Sequence, residues 1–198
     1  MSRELRMIIT QNCNYECYFC HREGIERVCD SKFNSSDYEY LFSVCKEKYG
    51  WNEVSLTGGE PLMNREVDNI IKNLYNKNGK ITIVSNGELL LEHEKVIPYI
   101  RRINLSLHSL DKEKYEQIIN RKNKMEKILR NIAYLRNKYP NVDLRLNVVL
   151  TKGVNNTEKN IMELLNFTEK IGGSIKFIEL YTQKKEDIVK LEFVEEIL

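Results

Sequence analysis

Few residues in this sequence interrupt regular structure or divide a chain into parts. Three prolines and nine glycines in 198 residues leave no stretch that reads as a linker, a repeat or a low-complexity segment, so one domain spanning residues 1–198 is expected. Excess charge of one sign is missing too. Lys and Arg number 31 against 29 Asp and Glu, a net charge of +2 with both signs interspersed, and no basic stripe argues for a nucleic-acid partner. No window approaches the roughly 18 apolar residues of a membrane span, and Arg3, Glu4 and Arg6 lead straight into a short apolar run without a long hydrophobic signal region. These absences exclude a membrane partner and lead us to expect a soluble, cytoplasmic protein, with 41% hydrophobic residues to fill its core.

What is present is an alternation of short β-branched runs with amphipathic helical stretches, the pattern of repeated βα units around a parallel sheet. Six units can be counted. Strands are expected at 5–10, 53–56, 80–85, 102–107, 142–150 and 174–180. The intervening helices are expected at 37–49, with a capping box in Ser36 and Glu39; after residue 66, with Val67, Ile70, Ile71 and Leu74 on one face and a stop at Asn78-Gly79; and, more weakly, at 91–97, where His93 should be solvated. Further helices follow Asp111, which is placed as an N-cap, and occupy 125–138 and 158–171; the next begins near Phe193. Six units are too few to close an eight-unit barrel, so the expected fold is α/β, an open partial (β/α)6 TIM-like barrel.

Five cysteines are an odd number for a disulfide framework. Cys45 shares helical spacing with Tyr38, Leu41 and Phe42 and reads as a core thiol; Cys29 reads as a loop thiol. Cys13, Cys17 and Cys20 form a CxxxCxxC loop directly after the first strand, and thiolates are soft ligands suited to iron–sulfur clusters or zinc. Three ligands leave one iron of a four-iron cubane without a protein ligand, open to a small molecule. A closed zinc site would instead need His21 or Cys29 as its fourth ligand. One strand later stands Thr57-Gly58-Gly59-Glu60-Pro61-Leu62, which in isolation is an ordinary turn, as is Ser85-Asn86-Gly87 after strand three.

Together, the stretch from Asn12 to His21 and the Gly58-Gly59-Glu60-Pro61 turn resemble the radical S-adenosylmethionine (SAM) superfamily. The resemblance implies a [4Fe–4S] cluster on Cys13, Cys17 and Cys20, whose open iron is chelated by SAM and whose electron cleaves it to a radical that abstracts hydrogen from substrate. It implies SAM contacts from Phe19, Gly58, Gly59, Glu60, Pro61, Ser85, Asn86 and Ser106, with Glu60 presenting a carboxylate to the methionine ammonium and the two glycines letting backbone approach the ligand. Chemistry in parallel βα barrels gathers at the C-terminal ends of strands, where the cysteines, the Gly-Gly turn, Ser85 and His108 all fall.

Within the superfamily, the chain is similar to the GTP 3',8-cyclases of molybdenum-cofactor biosynthesis, the MoaA family. The matching stretches are Leu5 to Thr10, Cys20-His21-Arg22-Glu23-Gly24, Ser106 to Asp111, Leu146 to Leu150 and Phe177 to Leu180. This implies a small-molecule, nucleotide substrate with Arg6, His108 and Arg145 as contacts, and an electron donor such as flavodoxin or ferredoxin. Two departures stand out. None of the cyclases' three further cysteines, which hold a second cluster, occurs after Cys45, and Glu53 and Ser55 occupy positions where that family places basic residues. The alternatives are a radical SAM enzyme acting on a peptide or another metabolite, and a non-catalytic zinc or iron–sulfur module.

Overall fold

The structure, a computed structural model, describes residues 4–21, 32–182 and 185–197. Cys29 and Arg22 to Gly24 lie outside the described residues. Six strands, β1 (Glu4–Thr10), β2 (Glu53–Gly58), β3 (Lys80–Ser85), β4 (Ile100–Ser106), β5 (Asp143–Leu150) and β6 (Ser174–Glu179), form one sheet in sequential order. Every pairing is parallel. β1 and β6 are its edges, so the barrel is open, as expected.

Strand alternation separates the two faces of this sheet. On β5, Leu144, Leu146, Val148 and Leu150 are buried, whereas Arg145, Asn147 and Val149 face a cavity on the concave side. Leu144, Leu146 and Val148 share one core with Ile128, Ile132, Leu135 and Leu164 from the apolar stripes of the helices, and Leu150 belongs to a second cluster with Ile161. Each such side chain stabilises the fold by roughly 1.5–3 kcal/mol.

The helices are α1 (Ser35–Tyr49), α2 (Val67–Asn76), α3 (Lys112–Ile119), α4 (Met125–Lys138), α5 (Glu158–Lys170) and α6 (Glu192–Glu195). Val67, Ile70, Ile71 and Leu74 are all buried, and Asp111 caps α3 by accepting from Lys114 N. The capping box of α1 lies earlier than expected: Asn34 is the N-cap and Asp37 its partner, not Ser36 and Glu39. Asn competes as well as Ser at this position, and the helix starts two residues sooner. Cys45 is buried, as are Phe42 and Tyr38 on the same helix, but Leu41 turns outward at 42% exposure.

The weak helix at 91–97 is a 3-10 segment, Leu90–Tyr99, kinked at His93 and containing Pro98. His93 is only partly solvated. It is half-buried with Nδ1 2.7 Å from an Asp68 carboxylate oxygen. Among the described residues no helix is long and apolar enough to cross a membrane.

Candidate active site

The loop leaving β1 carries Cys13, Cys17 and Cys20 and is fastened to the end of α3. Glu16 N donates to Ile119 O at 3.1 Å and Tyr18 N to Ile118 O at 3.1 Å, which satisfies carbonyls that a helix C-terminus otherwise leaves open. The Glu16 carboxylate also accepts from Arg121 at 2.8 Å. All three cysteines line one cavity of 460 Å³ at the C-terminal ends of the strands. Burial pushes the Cys17 thiol up to about 12, aided by repulsion from Cys13 and Cys20. Burial raises Cys13 as well, with Glu60 and Cys20 adding to it. Among the described residues no three His, Cys, Asp or Glu side chains are gathered around a position for a single metal ion.

The Gly58-Gly59 pair also makes a close approach within the protein itself. A Cβ on Gly58, whose φ is +137°, would lie 2.0 Å from Thr10 O, and one on Gly59 would lie 2.2 Å from Asn12 O. The glycines therefore let β2 press against the backbone of the cysteine loop, where Gly59 N donates to Thr10 O at 2.9 Å and Glu60 N to Asn12 O at 2.8 Å. Both also line the cavity.

Glu60 is 1% exposed, and its carboxylate is held by three donors. Oε1 accepts from Leu62 N at 3.1 Å and from Ser85 Oγ at 2.9 Å, and Oε2 from Asn86 N at 2.7 Å. These donors fill three of the roughly four acceptor positions of a carboxylate. Burial lifts its pKa to about 7, opposed by the three donors. Pro61 starts a short 3-10 turn, Pro61–Met63, that Glu60 caps. Glu60 thus ties the end of β2 to Ser85 and Asn86 at the end of β3.

His108 follows β4, is 4% exposed, and also lines the cavity. Its Nδ1 accepts from Val149 N at 3.2 Å, which leaves the ring proton on Nε2. Burial drives its pKa down to about 4, so the ring is neutral. Phe19, between two cysteines, meets it edge-on with centroids 5.1 Å apart.

A family model described as the radical SAM superfamily matches residues 7–165. The chain belongs to the radical SAM superfamily. Among radical SAM relatives, a probable GTP 3',8-cyclase of Pyrobaculum aerophilum is 31% identical over 181 residues, covering 90% of this chain and 57% of its own length. The GTP 3',8-cyclase of Aquifex aeolicus is 31% identical over 207 residues, covering 98% and 62%. The chain thus spans somewhat over half the length of these curated relatives. Streptococcus suis SuiB bound to S-adenosylmethionine superposes with a TM-score of 0.80 at 22% identity, covering 98% of this chain and 42% of SuiB, which shows a shared fold.

Radical SAM membership brings a [4Fe–4S] cluster and SAM as cofactors. The donor set suits them. Three soft thiols share one cavity with buried polar groups and an aromatic ring.

The concave floor below holds more than sequence reasoning found. Arg6, Ser106 and Arg145 line it, and Arg102, Asn104, Asn147 and Lys176 join them. Arg102 is neutralised by Asp143 at 2.5 Å, Arg6 donates to Thr57 Oγ1 at 3.3 Å and Arg145 Nε to Ser174 Oγ at 3.3 Å. The signal was available: Arg102, Asn104 and Ser106 on β4 and Asp143, Arg145 and Asn147 on β5 alternate with apolar residues, which implies that the face away from the helices is wet. Asn14 and Glu88, missed as well, stand just behind the lining and hydrogen-bond at 2.8 Å.

Proposed function

We propose that this chain is the catalytic core of a radical SAM enzyme that abstracts hydrogen from a small anionic substrate, a nucleotide such as GTP being the first to test. Cys13, Cys17 and Cys20 would hold the [4Fe–4S] cluster and leave one iron for SAM. Phe19, Gly58, Gly59, Glu60, Pro61, Ser85, Asn86 and Ser106 would shape the SAM site. Bound together, cluster and SAM supply a carbon radical through one-electron reduction, chemistry that no side chain provides. The protein's own residues position and insulate. The three donors on Glu60 lock the ends of β2 and β3 together, Phe19 and His108 form an apolar wall, and neutral His108 offers an Nε2–H donor without a charge. Arg6, Arg145 and Lys176 suit an anionic group of the substrate.

One observation carries this reading: the cysteines, the Gly-Gly turn, Ser85, Asn86, Ser106, His108 and the floor cations converge on a single cavity. The names of the curated relatives support a nucleotide. Ser55 lines the same cavity as a neutral residue, which lowers the charge available to a triphosphate. An outside electron donor of the flavodoxin or ferredoxin type, and a cytoplasmic setting that keeps free thiols reduced, complete the proposal.

The test is anaerobic reconstitution with iron and sulfide, followed by SAM, a reductant and either GTP or a panel of other nucleotides and peptides. Formation of 5'-deoxyadenosine that GTP accelerates supports the full reading. Acceleration by another substrate replaces GTP, and no 5'-deoxyadenosine under any condition contradicts the enzyme itself.

A further inference from the structure

The cysteine loop and the Ser85-Asn86-Gly87 turn are joined by a side chain outside the lining of the cavity that holds the cysteines. Asn14 is half-buried between Cys13 and Tyr15, both of which face the cavity, as does Asn86. Asn86 Nδ2 donates to Asn14 Oδ1 at 2.7 Å, and Asn14 Nδ2 donates to Glu88 Oε2 at 2.8 Å. Beyond Glu88, Oε1 accepts from Lys124 Nζ at 2.8 Å; on the other side, Asn86 N donates to Glu60 Oε2 at 2.7 Å. One chain of hydrogen bonds thus runs Lys124, Glu88, Asn14, Asn86, Glu60.

Its direction is fixed by chemistry. An ionised carboxylate only accepts, so Glu88 obliges Asn14 to turn its amide nitrogen toward it and its oxygen toward Asn86. Asn86 has no choice either, because its Oδ1 already accepts from Glu88 N at 3.0 Å. Glu88 is 8% exposed, and Lys124 supplies the charge that a buried carboxylate requires. The turn is itself held in place: Asn131 Nδ2 donates to Gly87 O at 2.8 Å, and Gly87 sits so close to Leu105 that a Cβ would lie 2.4 Å from its Cδ1.

We infer that Asn14 is a positioning residue that fixes the cysteine loop on the rigid β3 turn, so that cluster and SAM sites keep one mutual placement. This rests on the proposed SAM site, and acts through Cys13 and Asn86 rather than by contact with either cofactor.

The experiment compares reconstituted wild type with Asn14→Ala, Asn14→Asp and the double variant Asn14→Asp/Glu88→Gln. Iron per chain, the SAM dissociation constant, and the change SAM makes in the electron paramagnetic resonance line shape of the reduced cluster are measured. Asn14→Ala strands two partners, and Asn14→Asp faces one carboxylate with another. Each should weaken SAM roughly ten- to hundredfold, the cost of leaving a buried polar group unpaired. In the double variant an aspartate accepts from Asn86 and from the glutamine amide, so SAM binding and line shape should return to within about threefold of wild type.

SAM affinity unchanged in both single variants overturns the inference. So does a double variant no better than Asn14→Asp, since general loosening of the loop would not be repaired by restoring one donor–acceptor pattern. Where a single variant loses iron, recovery of iron in the double variant supports positioning and continued loss overturns it. Wild type is measured first: if it takes up no iron or binds no SAM, the proposed function itself fails and takes this inference with it, whereas wild-type binding with silent variants defeats this inference alone.

Discussion

Gly59→Ala is expected to be among the costlier single-methyl additions in this chain. Its Cβ would stand 2.2 Å from Asn12 O, 2.6 Å from Asn12 C and 2.7 Å from Gln11 O. Carbon–oxygen contacts settle near 3.3–3.6 Å, so the deficit is about 1 Å, and both sides are backbone with no side chain to swing away. Relief requires the β2 end and the cysteine loop to separate, stretching the 2.9 Å and 2.8 Å bonds from Gly59 N and Glu60 N. Overpacking costs about 1–3 kcal/mol and each lost hydrogen bond about 1 kcal/mol. The sum, about 3–5 kcal/mol, is a large share of the roughly 5–15 kcal/mol of a typical domain. Gly153→Ala is the control: its φ of +74° strains any side chain, but nothing lies within 4 Å of the added carbon, and about 1 kcal/mol is expected. Urea unfolding of metal-free protein reads both through the midpoint at constant slope. A Gly59→Ala protein no less stable than Gly153→Ala would refute the close approach of the two segments.

Other consequences follow from groups whose ionisation is displaced. His108 is neutral in the fold with a pKa near 4 against an ordinary 6.5, so the stability it contributes is present above about 6.5 and drains away as pH falls toward 4. Relative to His108→Gln, wild type should lose up to about 3 kcal/mol across that window; parallel pH profiles would contradict it. Glu60 has the opposite sign, being raised from 4.5 to about 7. Its favourable contribution is complete below about 4.5 and disappears as pH climbs through 7, so wild type should lose ground to Glu60→Gln over that rise in a pH series of urea melts. Asn34→Ala removes the cap of α1, and thermal unfolding should reveal a loss of about 0.5–2 kcal/mol.

Much of the fold could be read because its strands and helices obey simple periods. β3 and α4 fall on their expected limits, and Val67, Ile70, Ile71 and Leu74 bury the face their spacing implies. The cap of α1 was misplaced because Asn34, Ser35 and Ser36 are all competent caps, and the choice depends on which one finds Asp37 three residues on. Within the site, the cysteines and the Gly-Gly turn stood out through residue type and spacing. Asn14 and Glu88 did not, since an amide after a cysteine and a glutamate in a turn have no distinguishing spacing. Their roles exist only once β1 and β3 bring residues 74 apart within 2.8 Å. The hydrogen-bond partners of Glu60 were not legible for a similar reason, since Ser85 and Asn86 arrive from another strand.

The most direct test of the account is the iron and acid-labile sulfide content of anaerobically reconstituted wild type, set against a protein with Cys13, Cys17 and Cys20 all replaced by Ala. The account predicts about four irons and four sulfides per wild-type chain, a reduced-cluster resonance that shifts when SAM is added, and neither in the triple variant. A wild type that binds zinc in preference to iron, or a cluster whose resonance ignores SAM, would contradict it.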